Sequence, residues 1–279
     1  MTINPNIEPT RDGSNTLYSE QFGQTYHNRA GAVTESRHVF FETPGIPRLL
    51  SDHKNLSILE IGFGTGLNLV LMLDYLDKTK SKSNILFRSI EAFPIDPQIA
   101  SKLDFGSELE YLGYLSLLEN IFTSLSDGLN RIEVNEQVVL ELFVGDFEET
   151  GNIFKQKADI SDTPPPAKRT RGTLRQPAER FPANFIFHDP FSPEANPEGW
   201  TPELFKTIAA VSADDATLTT YCAATKARAA MAAAGWYVAR APGAPGKREM
   251  TVASLSKDML SDLKRVDEER LVERFFGSG

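Results

Sequence analysis

The chain has 279 residues, of which 41% are hydrophobic and 24% charged, enough apolar material to bury a full core, so a disordered or fibrous chain is excluded. Its net charge of −9 argues against indiscriminate coating of nucleic acid, and its single cysteine, Cys222, excludes an intrachain disulfide. No apolar run reaches the roughly 18 residues of a membrane span, no leader opens the chain and the four histidines are scattered, so a cytoplasmic protein with no membrane partner and no metal is expected.

In chain order, residues 1–55 show no regular alternation and are expected to form an extension that packs on the core. From residue 56, short apolar strands alternate with helical stretches, which predicts an α/β domain over 56–256 built on a doubly wound, mostly parallel sheet. "LSILEIG" (56–62) reads as a buried strand and "GLNLVLMLDYLDK" (66–78) as a helix. "NILFRSIEAFP" (84–94) is a second strand, and residues 95–130 read as helices with loops. Residues 131–147 alternate like a hairpin leading into a strand that ends at Asp146. "ANFIFHDP" (183–190) is the next strand, followed by a helix within "NPEGWTPELFKTIAAVS" and a strand over 216–223. "TKARAAMAAAG" is an alanine-rich helix stopped by Gly235, and "WYVARAPG" with "REMTVASLS" reads as a closing antiparallel pair. Residues 257–279 read as one charged helix with Leu263, Val266, Leu271 and Phe275 on its apolar side.

Between Pro164 and Arg180 the chain carries Lys168, Arg169, Arg171, Arg175 and Arg180 against Glu179 alone. This Pro-rich insertion (161–180) reads as a solvated, flexible arm; contact with RNA phosphates is the functional alternative.

The candidate chemistry gathers at strand ends. "LEIGFGTGLN" sets Gly62, Gly64 and Gly66 between a strand and a helix, where glycines let the backbone approach a ligand and the helix offers unpaired N–H groups. The spacing Glu60-x-Gly-x-Gly-x-Gly departs from the G-x-G-x-x-G of dinucleotide folds and resembles the first motif of S-adenosylmethionine-dependent methyltransferases. Glu91 ends the second strand 25 residues past Gly66, where a carboxylate can accept both ribose hydroxyls. Asp146 follows Gly145 at the next strand end, the position of the family's adenine-contacting acid. The resemblance also implies cofactor contacts from Phe63, Asn68, Phe147 and Asp189.

Asp189-Pro190-Phe191 closes the fourth strand and resembles the [Asp/Asn]-Pro-Pro-aromatic loop of amino-methyltransferases, in which the acid holds the target nitrogen and the aromatic stacks on the base. Asp189 and Phe191 are therefore the candidate catalytic pair. The longer pattern Asp189-x-Phe191-x-Pro193-x-x-Asn196-Pro197-x-x-Trp200 resembles the tRNA wobble-uridine aminomethyl methyltransferases, the methyltransferase half of bifunctional MnmC-like proteins. "LYSEQFGQTYHNRAGAVTESRHVFFE", "SIEAFP", "VGDFEE", "LTTYCAATKARAAMAAAGW" and "GKREM" agree, so the likeness spans roughly residues 10–255. Pro190, where glycine is usual, and the longer basic insertion are its departures.

The resemblance implies a Rossmann-like class I fold, S-adenosyl-L-methionine as cofactor, and methyl transfer to the primary amine of 5-aminomethyl(-2-thio)uridine in the tRNA anticodon loop. Phe191, Pro193, Asn196, Trp200, Lys247 and Arg248 are the expected substrate side, with Lys247 and Arg248 near phosphates. Glu35 and Arg37 are candidates for the same cleft. The chain stops at Gly279 without a second strand–glycine loop–helix unit, so a stand-alone form is expected, lacking the relatives' flavin oxidase and supplied with the free amine by upstream enzymes. Nothing in the sequence sets an oligomeric state. The rival readings are an amino-methyltransferase acting on adenine or a small amine and a non-catalytic RNA-binding module. A nicotinamide dehydrogenase is disfavoured by the glycine spacing.

Overall fold

The computed structural model describes residues 6–106, 109–111, 113–146 and 182–277; Phe147 and the 161–180 insertion lie outside them. A nine-stranded sheet runs in the order β12-β10-β11-β9-β8-β4-β5-β7-β6. Its middle is parallel: β9 (Ser212–Thr220), β8 (Ala183–His188), β4 (Leu56–Ile61), β5 (Ile85–Glu91) and β7 (Val138–Val144). All six residues of β4 are buried, as expected of a central strand covered on both faces. β6 (Gly128–Glu133) pairs antiparallel with β7, and β10 (Tyr237–Pro242) and β11 (Glu249–Ser254) form the closing antiparallel pair beside β9.

The chain leaves β4 to one side for β5 and returns to its other side as β8, so strand order reverses there. A crevice opens at such a reversal, outside the carboxyl ends of the strands. Ile61, Glu91 and His188 end the three strands that meet at it.

The N-terminal residues are more than an appendage. β1 (Asn6–Pro9), β2 (Asn15–Ser19) and β3 (Gln24–Thr25) make a small antiparallel sheet. α1 (Ala32–Ser36) then widens into π turns over Arg37–Glu42, and α2 (Ile46–Ser51) follows. The π turns drive Phe40 and Phe41 into the main core, with ring centroids 5.2 and 5.3 Å from Phe187 of β8. Truncating a buried ring of this kind typically costs about 3–5 kcal/mol, so two of them hold the segment firmly on the sheet.

The C-terminal tail differs from the single helix expected over 257–279. A 3₁₀ turn, Lys257–Leu260, is followed by β12 (Lys264–Arg265), which pairs with β10. The final helix begins only at Glu268 and runs to Phe276, and the Asp267 carboxylate before it accepts from the Arg270 N–H. Backbone pairing through Ala239 and Arg240 competes with the helical period, and the Asp267 cap fixes a later start. Leu263 and Val266 pack on the core, but no residue of the final helix is buried, so Leu271 and Phe275 form no buried face.

Candidate active site

The glycine loop is built by two strand ends approaching each other. The N–H groups of Gly62 and Phe63 both donate to the Ile90 carbonyl, at 3.0 and 3.1 Å, and the Asp189 N–H donates to the Ile61 carbonyl at 2.9 Å. Gly62 sits at φ 92°, and a Cβ there would lie 2.9 Å from the Asp189 carbonyl oxygen. The first glycine therefore permits contact between this loop and the segment carrying Asp189. Gly66 serves helix packing instead. A Cβ there would meet Leu118 Cδ2 at 2.6 Å, so its absence lets α3 (Leu67–Thr79) pack on the helix Tyr114–Ser124.

The Glu91 carboxylate accepts from the N–H groups of Gly64 at 2.7 Å and Phe93 at 2.8 Å. Burial raises its pKa, while those amides oppose the rise. Glu60 lies one layer deeper. It is 1% exposed and accepts from Asn68 Nδ2 at 2.9 Å and Ser89 Oγ at 2.6 Å. Glu60, a candidate cofactor contact, is not part of the cavity lining and instead fixes Asn68 from behind. The Asn68 Oδ1 is buried and has no hydrogen-bond partner among the described residues.

On the other side, Asp189 and Phe191 follow β8 into the same cavity, whose volume is about 490 Å³. Burial, with the charges of Glu35 and Glu60 adding to it, pushes the Asp189 carboxyl well above the usual carboxylate range; Lys247 pulls the other way. No hydrogen bond to the Asp189 side chain is made among the described residues, which leaves its oxygens available to a ligand. Phe191 stacks on Phe22 at 4.3 Å between centroids and meets Tyr26 edge-on at 4.9 Å. Asn196 reaches the cavity. Trp200 does not: its indole N–H donates to the Phe191 carbonyl at 2.8 Å from a buried position, bracing the loop from behind. Pro193 shapes the same turn but is not part of the cavity wall.

Several expected residues are not brought together. Asp146 is exposed and off the cavity wall, two residues past the end of β7 at Val144. Arg248 is exposed. Lys247 stands at the cavity rather than apart from it. It lines the cavity with Nζ 2.7 Å from Glu35 Oε1 and 4.3 Å from the centroid of Tyr221. Glu35 reaches the cavity, whereas Arg37 turns away to Asp74 at 3.1 Å.

The structure adds a wall that the motifs did not supply. Tyr26, His27 and Asn28 face the glycine loop, and Gln24 holds the catalytic segment through Nε2–Ser192 Oγ (2.6 Å) and Ser192 N–Oε1 (3.3 Å). The His27 ring nitrogens stand 3.3 Å from Thr16 Oγ1 and 3.4 Å from Thr65 Oγ1, and burial lowers its pKa to about 4, so the ring is neutral. Tyr221, on the loop after β9, donates its hydroxyl to the Pro190 carbonyl at 2.8 Å. In the sequence these residues lie in stretches that resemble the family, but no motif there singles them out.

A family model described as S-adenosyl-L-methionine-dependent methyltransferase matches residues 171–256. The tRNA 5-methylaminomethyl-2-thiouridine biosynthesis bifunctional protein MnmC of Aromatoleum aromaticum is 31% identical over 90% of this chain and 35% of its own length. The protein of that name from Delftia acidovorans is 28% identical over 89% of this chain and 34% of its own. The crystal structure of MNMC2 from Aquifex aeolicus superposes with a TM-score of 0.66 at 25% identity, covering 98% of this chain and 78% of that one. The chain is similar to S-adenosyl-L-methionine-dependent methyltransferases. It spans about a third of the length of the MnmC proteins it matches, and its sheet is that of a Rossmann-like class I methyltransferase.

The cofactor of this methyltransferase fits the residues present. S-Adenosylmethionine carries an ammonium, a carboxylate and a ribose diol. The buried Asn68 Oδ1 without a partner suits the ammonium, the Glu91 carboxylate suits the diol, and the glycine loop gives the close approach both need.

Glu60 gives a test that needs no substrate. Burial pushes its carboxyl up to about 8 against an ordinary 4.5. A folded-state pKa raised in this way supplies stability below the unfolded value that is lost as pH rises through the folded one. Glu60→Gln removes the titration while keeping groups able to bond Asn68 and Ser89. Its thermal midpoint should exceed the parent's at pH 8.5, with the gap closing at pH 5. A gap that does not change with pH would show that Glu60 is held charged.

Proposed function

We propose that this methyltransferase transfers a methyl group to the primary amine of 5-aminomethyl(-2-thio)uridine in the anticodon loop of tRNA. The observation that carries the reading is Asp189, a cavity carboxyl held above its ordinary pKa, without a side-chain hydrogen bond among the described residues, two residues from Phe191 on the same cavity wall and beside the glycine loop. Support also comes from the names of the MnmC relatives, which specify 5-methylaminomethyl-2-thiouridine biosynthesis in tRNA.

Bound S-adenosylmethionine supplies an electrophilic methyl. The protein's own groups prepare the acceptor. A primary alkylamine is protonated at pH 7 in all but roughly one molecule in a thousand, and only the neutral form has a lone pair to give. Asp189 takes the proton from the ammonium, since its raised pKa brings the two groups closer in basicity, and then accepts the remaining N–H bonds to aim the lone pair. Phe191, steadied by Phe22 behind it and by Trp200 through its carbonyl, offers a flat apolar face to an unstacked base. Glu91 and Asn68 would hold the cofactor, and the N-terminal wall around Tyr26 and His27 would limit the access of water to it.

Purified protein given methyl-labelled cofactor should label tRNA carrying 5-aminomethyluridine and leave carboxymethylaminomethyl tRNA untouched, because that amine is secondary and brings a carboxylate toward Asp189. Label appearing in adenine, in small amines alone, or in no RNA at all would overturn the reading.

A further inference from the structure

Lys247 is a half-buried lysine on the cavity wall. The turn before it is closed by the Lys247 N–H donating to the Ala244 carbonyl at 2.8 Å, which fixes where its side chain starts. Its ammonium is then held on two sides, by Glu35 Oε1 at 2.7 Å and by the face of Tyr221 at 4.3 Å. Glu35 is itself fastened, accepting the Asn28 N–H through Oε2 at 2.9 Å, while Asn28 Nδ2 reaches the Pro245 carbonyl at 3.3 Å. The N-terminal wall and the loop after β10 thus close around this one cation, and Tyr221 bonds the residue next to Asp189.

Other cations are engaged elsewhere. Arg29, at the cavity rim, is paired with Glu8 at 2.9 Å, and Arg228 is bound by Glu249 and Thr251. The groups that face Lys247 are Glu35, Asp189 and Tyr221, with Glu60 deeper, Glu194 outside and the buried Cys222 thiol behind the tyrosine. His27, beyond Glu35, is neutral.

We propose that Lys247 is a positioning residue whose fixed charge keeps the acceptor pocket deprotonated, and so nucleophilic, near neutral pH. This deepens the amine-methylation reading and rests on it. A fixed cation disfavours a second one nearby, so it drives the substrate ammonium toward the free amine; it also favours the ionised form of Asp189, which must take up the proton. Both effects have the same sign. Removing the charge moves each titration to higher pH.

The test is the pH dependence of kcat on tRNA carrying 5-aminomethyluridine, for the parent, Lys247→Met, Lys247→Gln and Lys247→Arg. The glutamine amide can still donate to Glu35, which keeps a foldable neutral variant should the methionine one fail. The acid limb should move up by about one unit or more in the neutral variants, a roughly tenfold loss at pH 7 that is largely recovered at pH 9.5. Lys247→Arg should keep the parent's limb. A neutral variant whose kcat falls by one factor at every pH, or whose limb does not move, overturns the role of Lys247. A parent that methylates no RNA amine fails the function itself, so the two failures are distinguishable.

Discussion

Asp189→Ala should lower kcat by about a hundredfold or more, the loss typical of a positioned acid–base group, while cofactor affinity stays within a few-fold. The separation follows from the geometry. The Asp189 backbone holds its segment in place through the bond to the Ile61 carbonyl, and the Trp200 and Tyr221 bonds to the carbonyls of Phe191 and Pro190 are untouched by the substitution. Only the carboxyl is lost. Asp189→Asn sharpens the result, because it keeps the shape and one acceptor oxygen but cannot take a proton; its kcat should stay close to that of the alanine variant. Calorimetry for the cofactor and single-turnover methyl transfer for the chemistry decide between the roles. Turnover near the parent's in either variant would make Asp189 structural.

Gly62→Ala should damage both functions together. The new methyl would sit 2.9 Å from the Asp189 carbonyl oxygen and 3.2 Å from its carbon, at a φ of 92° that side chains rarely adopt. Backbone strain of this kind costs on the order of 1–3 kcal/mol by itself. The collision adds displacement of the two segments that define the cavity, so cofactor affinity and kcat should each fall by about tenfold or more. Gly235→Ala is the control: it carries a similar φ of 91° with nothing within 4 Å of the added carbon. If both variants lose stability alike and Gly62→Ala keeps its activity, the approach of the two loops is not what the first glycine serves.

Much of this site was legible because its signals are local. Strand, glycine loop and helix follow each other within some twenty residues, and Glu91 and Asp189 stand at strand ends that the apolar runs mark directly. The periodicity could say that Glu60 ends a strand, but not that α3 would cover it with Asn68 and seal it from the cavity. It could not place Asp146 either, since only the folded chain shows that β7 ends at Val144 and leaves Asp146 exposed. Arg37 and Arg248 looked as eligible as Glu35 and Lys247. Only the folded chain shows the first bound to Asp74, the second in solvent and the last two facing each other across the cavity. β12 was hidden for a plainer reason: two residues are too few to impose a period on a charged tail.

The clasp between Gln24 and Ser192 joins positions 168 residues apart. At ribosomal speeds of about 5–20 residues per second, the first partner waits roughly ten to thirty seconds for the second to be synthesised. During that interval Phe40 and Phe41 lack Phe187, and of their ring partners only Tyr75, against Phe41, has been made. The packing of these two rings is therefore complete only once β8 has emerged. The cavity wall that Asp189 and Phe191 complete can therefore be assembled only after the segment following β8 has been made, long after the glycine loop that sequence motifs pick out first.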